Sequence, residues 1–155
     1  NIKALCDYIE ENELKAKLVI AANNPHNKEL FERYSFVEIN IGLDAGTLNA
    51  FYNKGDVMYF PSMYEGFEMV TLEALCAGVP VLGNNIGAVS ELTSRGEPGV
   101  AIVCEDKPQK VYAQLMQLSE IYSSKDQKNS LHDYYATNYG KEAYRSKLKF
   151  VLSNI

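Results

Sequence analysis

The sequence predicts an α/β fold built on a doubly wound parallel sheet. Short runs rich in Val, Ile, Leu and Phe alternate with stretches of helical periodicity along the first two thirds of the chain. Those runs are apolar at consecutive positions, the pattern of strands buried on both faces and covered by helices on each side. Glycine, proline and asparagine mark the junctions.

"IKALCDYIEENE" opens the chain with Ile2, Leu5, Cys6 and Ile9 at helical spacing and acids collecting behind them. "AKLVIAANN" is an apolar run ended by turn residues, a buried strand. Pro25 then opens "HNKELFERY", a short helix. "SFVEINIG" is the second strand, closed by Gly42. "AGTLNAFYNKG" is a helix with Leu48, Phe51 and Tyr52 on one face and Gly55 at its end. "DVMYF" is a strand that stops at Pro61, and a loop and a helix over about 69–77 follow, ended by Gly78. "VPVLGNN" is a strand, "AVSELTS" a short helix, and "GVAIVCE" the last strand. From Pro108 onward the pattern is helical over 109–123, 126–137 and 141–153, with Gly140 as the final break. There is no internal repeat and no low-complexity stretch.

A chain of 155 residues fits one domain and can bury a core, here divided into a sheet-and-helix part over 1–125 and C-terminal helices of the same domain over 126–155. Its 46% hydrophobic and 23% charged residues exclude a disordered chain. A formal charge of −5 argues against nucleic acid as a partner, because phosphate binding needs a basic face. The lysines and arginine of the last third read as a solvated helix face. No apolar run approaches the ~20 residues needed to span a bilayer, and no signal-peptide pattern is present, so a cytoplasmic location is expected. Cys6, Cys76 and Cys104 are far apart and odd in number, which reads as small buried hydrophobes in a reducing compartment. No Cys or His pair has metal-ligand spacing, so no metal site is expected, and His26 and His132 read as isolated surface or satisfied groups. Residue 1 is not methionine, so the chain is expected to be a piece of a longer protein.

One stretch carries chemistry. In "SMYEGFEMVTLEALCAG", residues 62–78, Glu65 and Glu68 flank Gly66-Phe67, and Glu73 lies inside an apolar helix. In an open α/β sheet, ligands bind beyond the carboxyl ends of the strands, which is where this loop leaves "DVMYF". The helix is apolar nearly all round apart from Thr71 and Glu73, the mark of a buried helix. Its N-terminus leaves backbone N–H groups without internal partners, and with the helix dipole these suit a phosphate. Gly66 permits a sharp turn and a close approach. Glu73, one turn in, presents two acceptor oxygens that match a ribose diol, and Glu65 could reach a hydroxylated group beyond the phosphates. A nucleoside diphosphate sugar fits that spacing. The alternative is structural: Glu65 and Glu68 as acids stabilised by the helix dipole, ~0.3–1 kcal/mol each, and Glu73 ion-paired to an arginine.

"EGFEMVTLEALCAGVPVLGNN" resembles the nucleotide-sugar motif of the retaining glycosyltransferases with the GT-B fold, the large group-1 (family 4) kind. The matching residues are Glu65, Gly66-Phe67, Glu73 eight positions on, Gly78-Val79-Pro80-Val81, and Gly87 with Glu91. The preceding "LNAFYNKGDVMYFPSMYEGF" follows the same family's run of helix, strand and Pro-Ser, and the resemblance covers most of the chain. It implies the C-terminal, Rossmann-like half of a GT-B enzyme, a hexosyltransferase-like activity in polysaccharide or glycoconjugate synthesis. It implies Glu65 as the catalytic-site contact to the donor sugar near the reacting carbon. Gly66, Phe67, Glu68, Met69 and Val70 would hold the sugar and diphosphate, and Glu73 the ribose. The family uses no catalytic metal and no cofactor; the helix N-terminus and basic side chains stabilise the departing diphosphate.

The chain departs from that pattern in two places. Glu68 stands where the family often has glycine, and a carboxylate beside a diphosphate repels it unless it points away. The family's domain also begins with a strand carrying an arginine and then a lysine, whereas this chain starts at the following helix, where Lys3 does not qualify for either role. A disturbed sheet or a self-association that fills the gap is therefore expected. The resemblance further implies an N-terminal acceptor domain outside this chain, an acceptor that in the full enzyme could lie at a membrane surface, and no activity for this piece alone. Tyr134, Tyr135, Tyr139 and Tyr144 would suit contact with that domain or core packing within this one. A nucleotide-sugar epimerase of the same fold and a non-catalytic partner subunit are the rival readings. A receiver-like signalling module would need clustered aspartates, and Asp44, Asp56 and Asp106 are poorly placed for it.

Overall fold

In the computed structural model, which describes residues 2–22, 25–64 and 69–153, five parallel strands alternate with seven α-helices. The chain starts with α1 (Ile2–Glu11) and β1 (Leu18–Ala22) and passes through a 3-10 turn over Pro25–Leu30 to β2 (Val37–Ile41). Then come α2 (Ala45–Tyr52), β3 (Met58–Phe60), α3 (Met69–Cys76), β4 (Val81–Gly83), α4 (Gly87–Ser94) and β5 (Val100–Ile102). Three helices close the chain: α5 (Pro108–Ile121), α6 (Lys125–Tyr139) and α7 (Lys141–Leu152).

The alternation and the parallel pairing agree with the sequence reading. β1 runs beside β2, with Leu18 opposite Val37 and Ala22 opposite Ile41. β4 lies between β3 and β5, pairing Val81 with both Met58 and Val100. Among the described residues the two groups are not joined, so the sheet is divided into β1-β2 and β3-β4-β5. This division is the disturbed form of the sheet that the sequence led us to expect.

β4 is buried on both faces, as helices on each side require. Val81 faces a core formed with Tyr52, Ala74, Leu75, Val89, Leu92, Leu131 and Tyr135, from α2, α3, α4 and α6. Leu82, its neighbour, faces the other way onto Leu5 and Ile9 of α1 and Val111 of α5. Leu18 of β1 and Tyr59 of β3 pack against that second cluster. One helical layer thus underlies both parts of the divided sheet.

The expected helix over 26–34 is a 3-10 turn over Pro25–Leu30 instead. Tyr34 is drawn into the interior, 1% exposed, where its hydroxyl donates to Asp7 Oδ1 of α1 at 2.5 Å. The Arg33 guanidinium donates to the same carboxylate oxygen. Cys6 is buried and Cys76 half-buried, but Cys104 is exposed, so the reading of all three cysteines as buried hydrophobes is corrected: Cys104 lies past the end of β5, beyond the core. Of the C-terminal tyrosines, Tyr135 and Tyr139 pack into the core of this domain. Tyr135 is buried and donates to the Pro98 carbonyl, and Tyr134 and Tyr139 both donate to Glu97. Tyr134 and, more so, Tyr144 stay exposed.

Gly78 joins α3 to β4 with a φ of +78°, and a Cβ there would lie 2.6 Å from the Lys128 carbonyl oxygen of α6. Gly96 has a similar φ of +69° with nothing within 4 Å of the same position. Gly96→Ala is expected to cost the ~1–2 kcal/mol of a left-handed non-glycine residue, and Gly78→Ala more, because α6 must also shift. Urea unfolding of the two variants reads the difference.

Glu38 of β2 accepts from Lys17, Lys54 and Asn40 and so links the approach to β1, β2 and the end of α2. The Lys17 and Lys54 ammoniums, then Asn40, pull its carboxyl down to about 2 from an ordinary 4.5. A depressed carboxyl stabilises the fold above its unfolded value, and that contribution is lost as pH falls through the folded value. Glu38→Gln should therefore differ from the wild type above pH 4.5 and converge with it towards pH 2, in stability measured across that range. The difference should be small, since these pairs are solvent-exposed.

Candidate functional site

The carboxyl end of β3 delivers the chain into the loop singled out by the sequence. Pro61 and Ser62 leave the strand beside the end of β4, where Asn84 is waiting. Its side-chain amide donates to the Ser62 carbonyl at 2.9 Å and the Pro61 carbonyl at 3.1 Å, with Met63 Sδ at 3.2 Å. Parallel pairing makes this possible: Phe60 is in register with Gly83, so the residue after each strand lies at the same edge. Gly83 also lets α4 close down, since a Cβ there would meet Val89 Cγ2 at 2.8 Å and the Phe60 carbonyl at 3.2 Å. Met63 and Tyr64, the last described residues before the glutamates, are exposed.

Glu65, Gly66, Phe67 and Glu68 lie outside the described residues. Met69 opens α3 as described and is half-exposed, Val70 is partly buried, and Thr71, Ala74 and Leu75 are buried. The helix is enclosed as its composition requires, and Glu73 sits at its margin, partly buried.

The partner of Glu73 is not an arginine. Among the described residues its carboxylate is met by the hydroxyl of Tyr52, which donates to Oε2 at 2.9 Å. Tyr52 ends α2 and is 9% exposed, packed in the same core as Ala74 and Leu75. Burial first, and the hydrogen bond to Glu73 second, push the Tyr52 phenol up, so it remains a donor through the physiological range. Burial and the negative charge of Glu73 likewise raise the Cys76 thiol. The carboxylate is thus held at one oxygen, and no other donor among the described residues occupies Oε1.

Other residues singled out in the sequence have structural partners. Lys3 donates to Asp7 at 2.7 Å. Asp44 caps α2 by accepting from the Thr47 backbone N–H, and Asp56 pairs with Lys128 at 2.9 Å. Glu91 lies exposed on α4 in an ion pair with Arg95 one turn on. His132 Nδ1 meets the Cys76 carbonyl, tying α6 to the end of α3. A cavity of about 60 Å³ lies between the starts of α1 and α5 at Tyr59. Small-molecule sites run to roughly 300–1,000 Å³, so this one holds no nucleotide.

Sequence reasoning did not find Asn84 as the partner of the loop after β3, nor Tyr52 as the partner of Glu73. A polar pair directly after a strand at the carboxyl edge was the available signal for Asn84. Tyr52 carried none beyond its place on an apolar face. Asn84→Ala removes the two carbonyl bonds, each worth ~0.5–1.5 kcal/mol, and is expected to lower unfolding stability by about the value of one of them. Hydrogen exchange should quicken at Met63 and Tyr64 in that variant and leave the amides of β4 and β5 slow.

Residues 1–120 match the family described as Glycosyl transferases group 1. Among curated relatives, an uncharacterized glycosyltransferase of Methanocaldococcus jannaschii is 31% identical over 106 residues, covering 64% of this chain and 26% of the relative. The chain spans about a quarter of the length of the curated relatives it matches first. Among solved structures, sucrose-phosphate synthase from Thermosynechococcus elongatus superposes with a TM-score of 0.65 at 16% identity, over 99% of this chain and 43% of that one. The pneumococcal O-GlcNAc transferase GtfA, solved with UDP and GlcNAc, superposes with a TM-score of 0.61 at 18% identity, over 98% of this chain and 32% of that one. These neighbours are GT-B glycosyltransferases, and the α/β fold with parallel sheets is consistent with one Rossmann-like half of such an enzyme.

Proposed function

The chain belongs to the group 1 glycosyl transferases, and we propose that within that family it is the donor-binding part of a retaining enzyme. That enzyme moves a sugar from a nucleoside diphosphate sugar to an acceptor hydroxyl, in polysaccharide or glycoconjugate synthesis. The observation that carries this reading is Glu73, a partly buried carboxylate on α3, held at one oxygen by Tyr52 with the other unoccupied among the described residues. It lies on the helix that follows the carboxyl end of β3, where open α/β sheets bind nucleotides.

In this reading Glu73 accepts from the ribose diol. The N–H groups over 67–70 bind the diphosphate, their partial positive charge offsetting the charge that develops on the leaving group. Glu65 contacts the donor sugar near the anomeric carbon. No metal or cofactor is assigned to these steps. The acceptor is bound by a partner domain outside the chain, so the chain by itself binds donor without turnover. The UDP held by the pneumococcal neighbour supports a nucleoside diphosphate as the ligand class.

Calorimetric titration of the chain with UDP and with GDP tests the reading. One nucleotide is expected to bind, and Glu73→Ala to weaken it by ~1–3 kcal/mol, the cost of a lost charged hydrogen bond. Failure of both nucleotides to bind at millimolar concentration, or equal binding by the variant, overturns the assignment of Glu73.

A further inference from the structure

We propose that Tyr52 is a positioning residue for ribose recognition: its hydroxyl holds Glu73 Oε2 so that Oε1 is presented to the sugar diol. The inference rests on the reading of Glu73 as the ribose contact and adds a residue to it.

Three features of the structure support it. The hydroxyl donates to Oε2 at 2.9 Å across 21 residues of sequence, so the bond joins two separately built elements, α2 and α3. The ring is immobilised: it packs with Ala74 and Leu75, and Phe51 meets it edge-on with centroids 5.8 Å apart. α2 is itself anchored at its start by the reciprocal cap of Asp44 and Thr47. A rigid donor on one oxygen removes much of the rotamer freedom that a glutamate must otherwise lose when a ligand orders it. It also divides the carboxylate's two acceptors, one for the protein and one for the ligand. At 9% exposure Tyr52 is itself too enclosed to serve as the ligand's contact, so its influence passes through Glu73.

Tyr52→Phe keeps the ring and removes the donor. The measurement is the ratio of dissociation constants for the dideoxyribose analogue and the ordinary nucleoside diphosphate, in wild type and variant, with inorganic pyrophosphate as a ribose-free reference. A charged hydrogen bond of ~1.5–3 kcal/mol predicts wild-type discrimination of roughly tenfold or more. In Tyr52→Phe that ratio should fall several-fold while pyrophosphate binding and the unfolding midpoint stay close to wild type. A wild type that binds neither nucleotide, or both equally, overturns the ribose reading and the positioning role with it. Wild-type discrimination that survives unchanged in the variant overturns the positioning role alone, as does an equal loss for nucleotide, analogue and pyrophosphate. If the variant does not fold, ring-fluorinated tyrosine at position 52 keeps the shape and sharpens the donor. An altered ratio then supports the role, and an unaltered one overturns it.

Discussion

The burial of β4 on both faces is the constraint from which the rest of the molecule follows. Val81 and Leu82, adjacent in sequence, are both fully buried and face opposite cores. A strand in that position cannot be covered by one helical layer, so α1 and α5 must lie on one side and α3, α4 and α6 on the other. Parallel neighbours on both edges then bring the carboxyl ends of β3 and β4 together. The loop after β3 and the asparagine after β4 meet there because of that register, and they need no separate arrangement.

Glu73 shows how such a frame handles a polar group in an apolar helix. α3 is enclosed on the sides that carry Thr71, Ala74 and Leu75, and an ionised carboxylate at its margin is costly unless hydrogen-bonded. The ion pair with an arginine is replaced by a phenol that arrives from α2 already fixed by packing. It satisfies one carboxylate oxygen with a neutral hydroxyl donor.

The close approach of α6 to the sheet is a second consequence of small residues at set positions. Gly78 and Gly99 leave room for Lys128 and Leu131 of α6, and Leu131 and Tyr135 complete the core above β4. The glycine of the Gly-Val-Pro-Val run therefore has a packing role at a left-handed turn, separate from any ligand. Glu97 gathers the hydroxyls of Tyr134 and Tyr139 and so ties α6 to the turn before β5.

The order of the elements, the parallel class of the sheet and the buried helix that carries Glu73 were legible in the sequence. Each depends on local information: apolar runs against 3.6-residue spacing, and glycine or proline at the ends. The resemblance carried by Glu65, Gly66-Phe67 and Glu73 led to the same family as the match over residues 1–120. Only the tertiary structure showed 25–30 as a 3-10 turn and joined Tyr34 to Asp7 of another helix. Only it joined Tyr52 to Glu73 and Asn84 to the loop, since those partners are 21 to 23 residues apart. Spacing along a chain reports which face a residue occupies; what it meets across the gap depends on how separate elements pack.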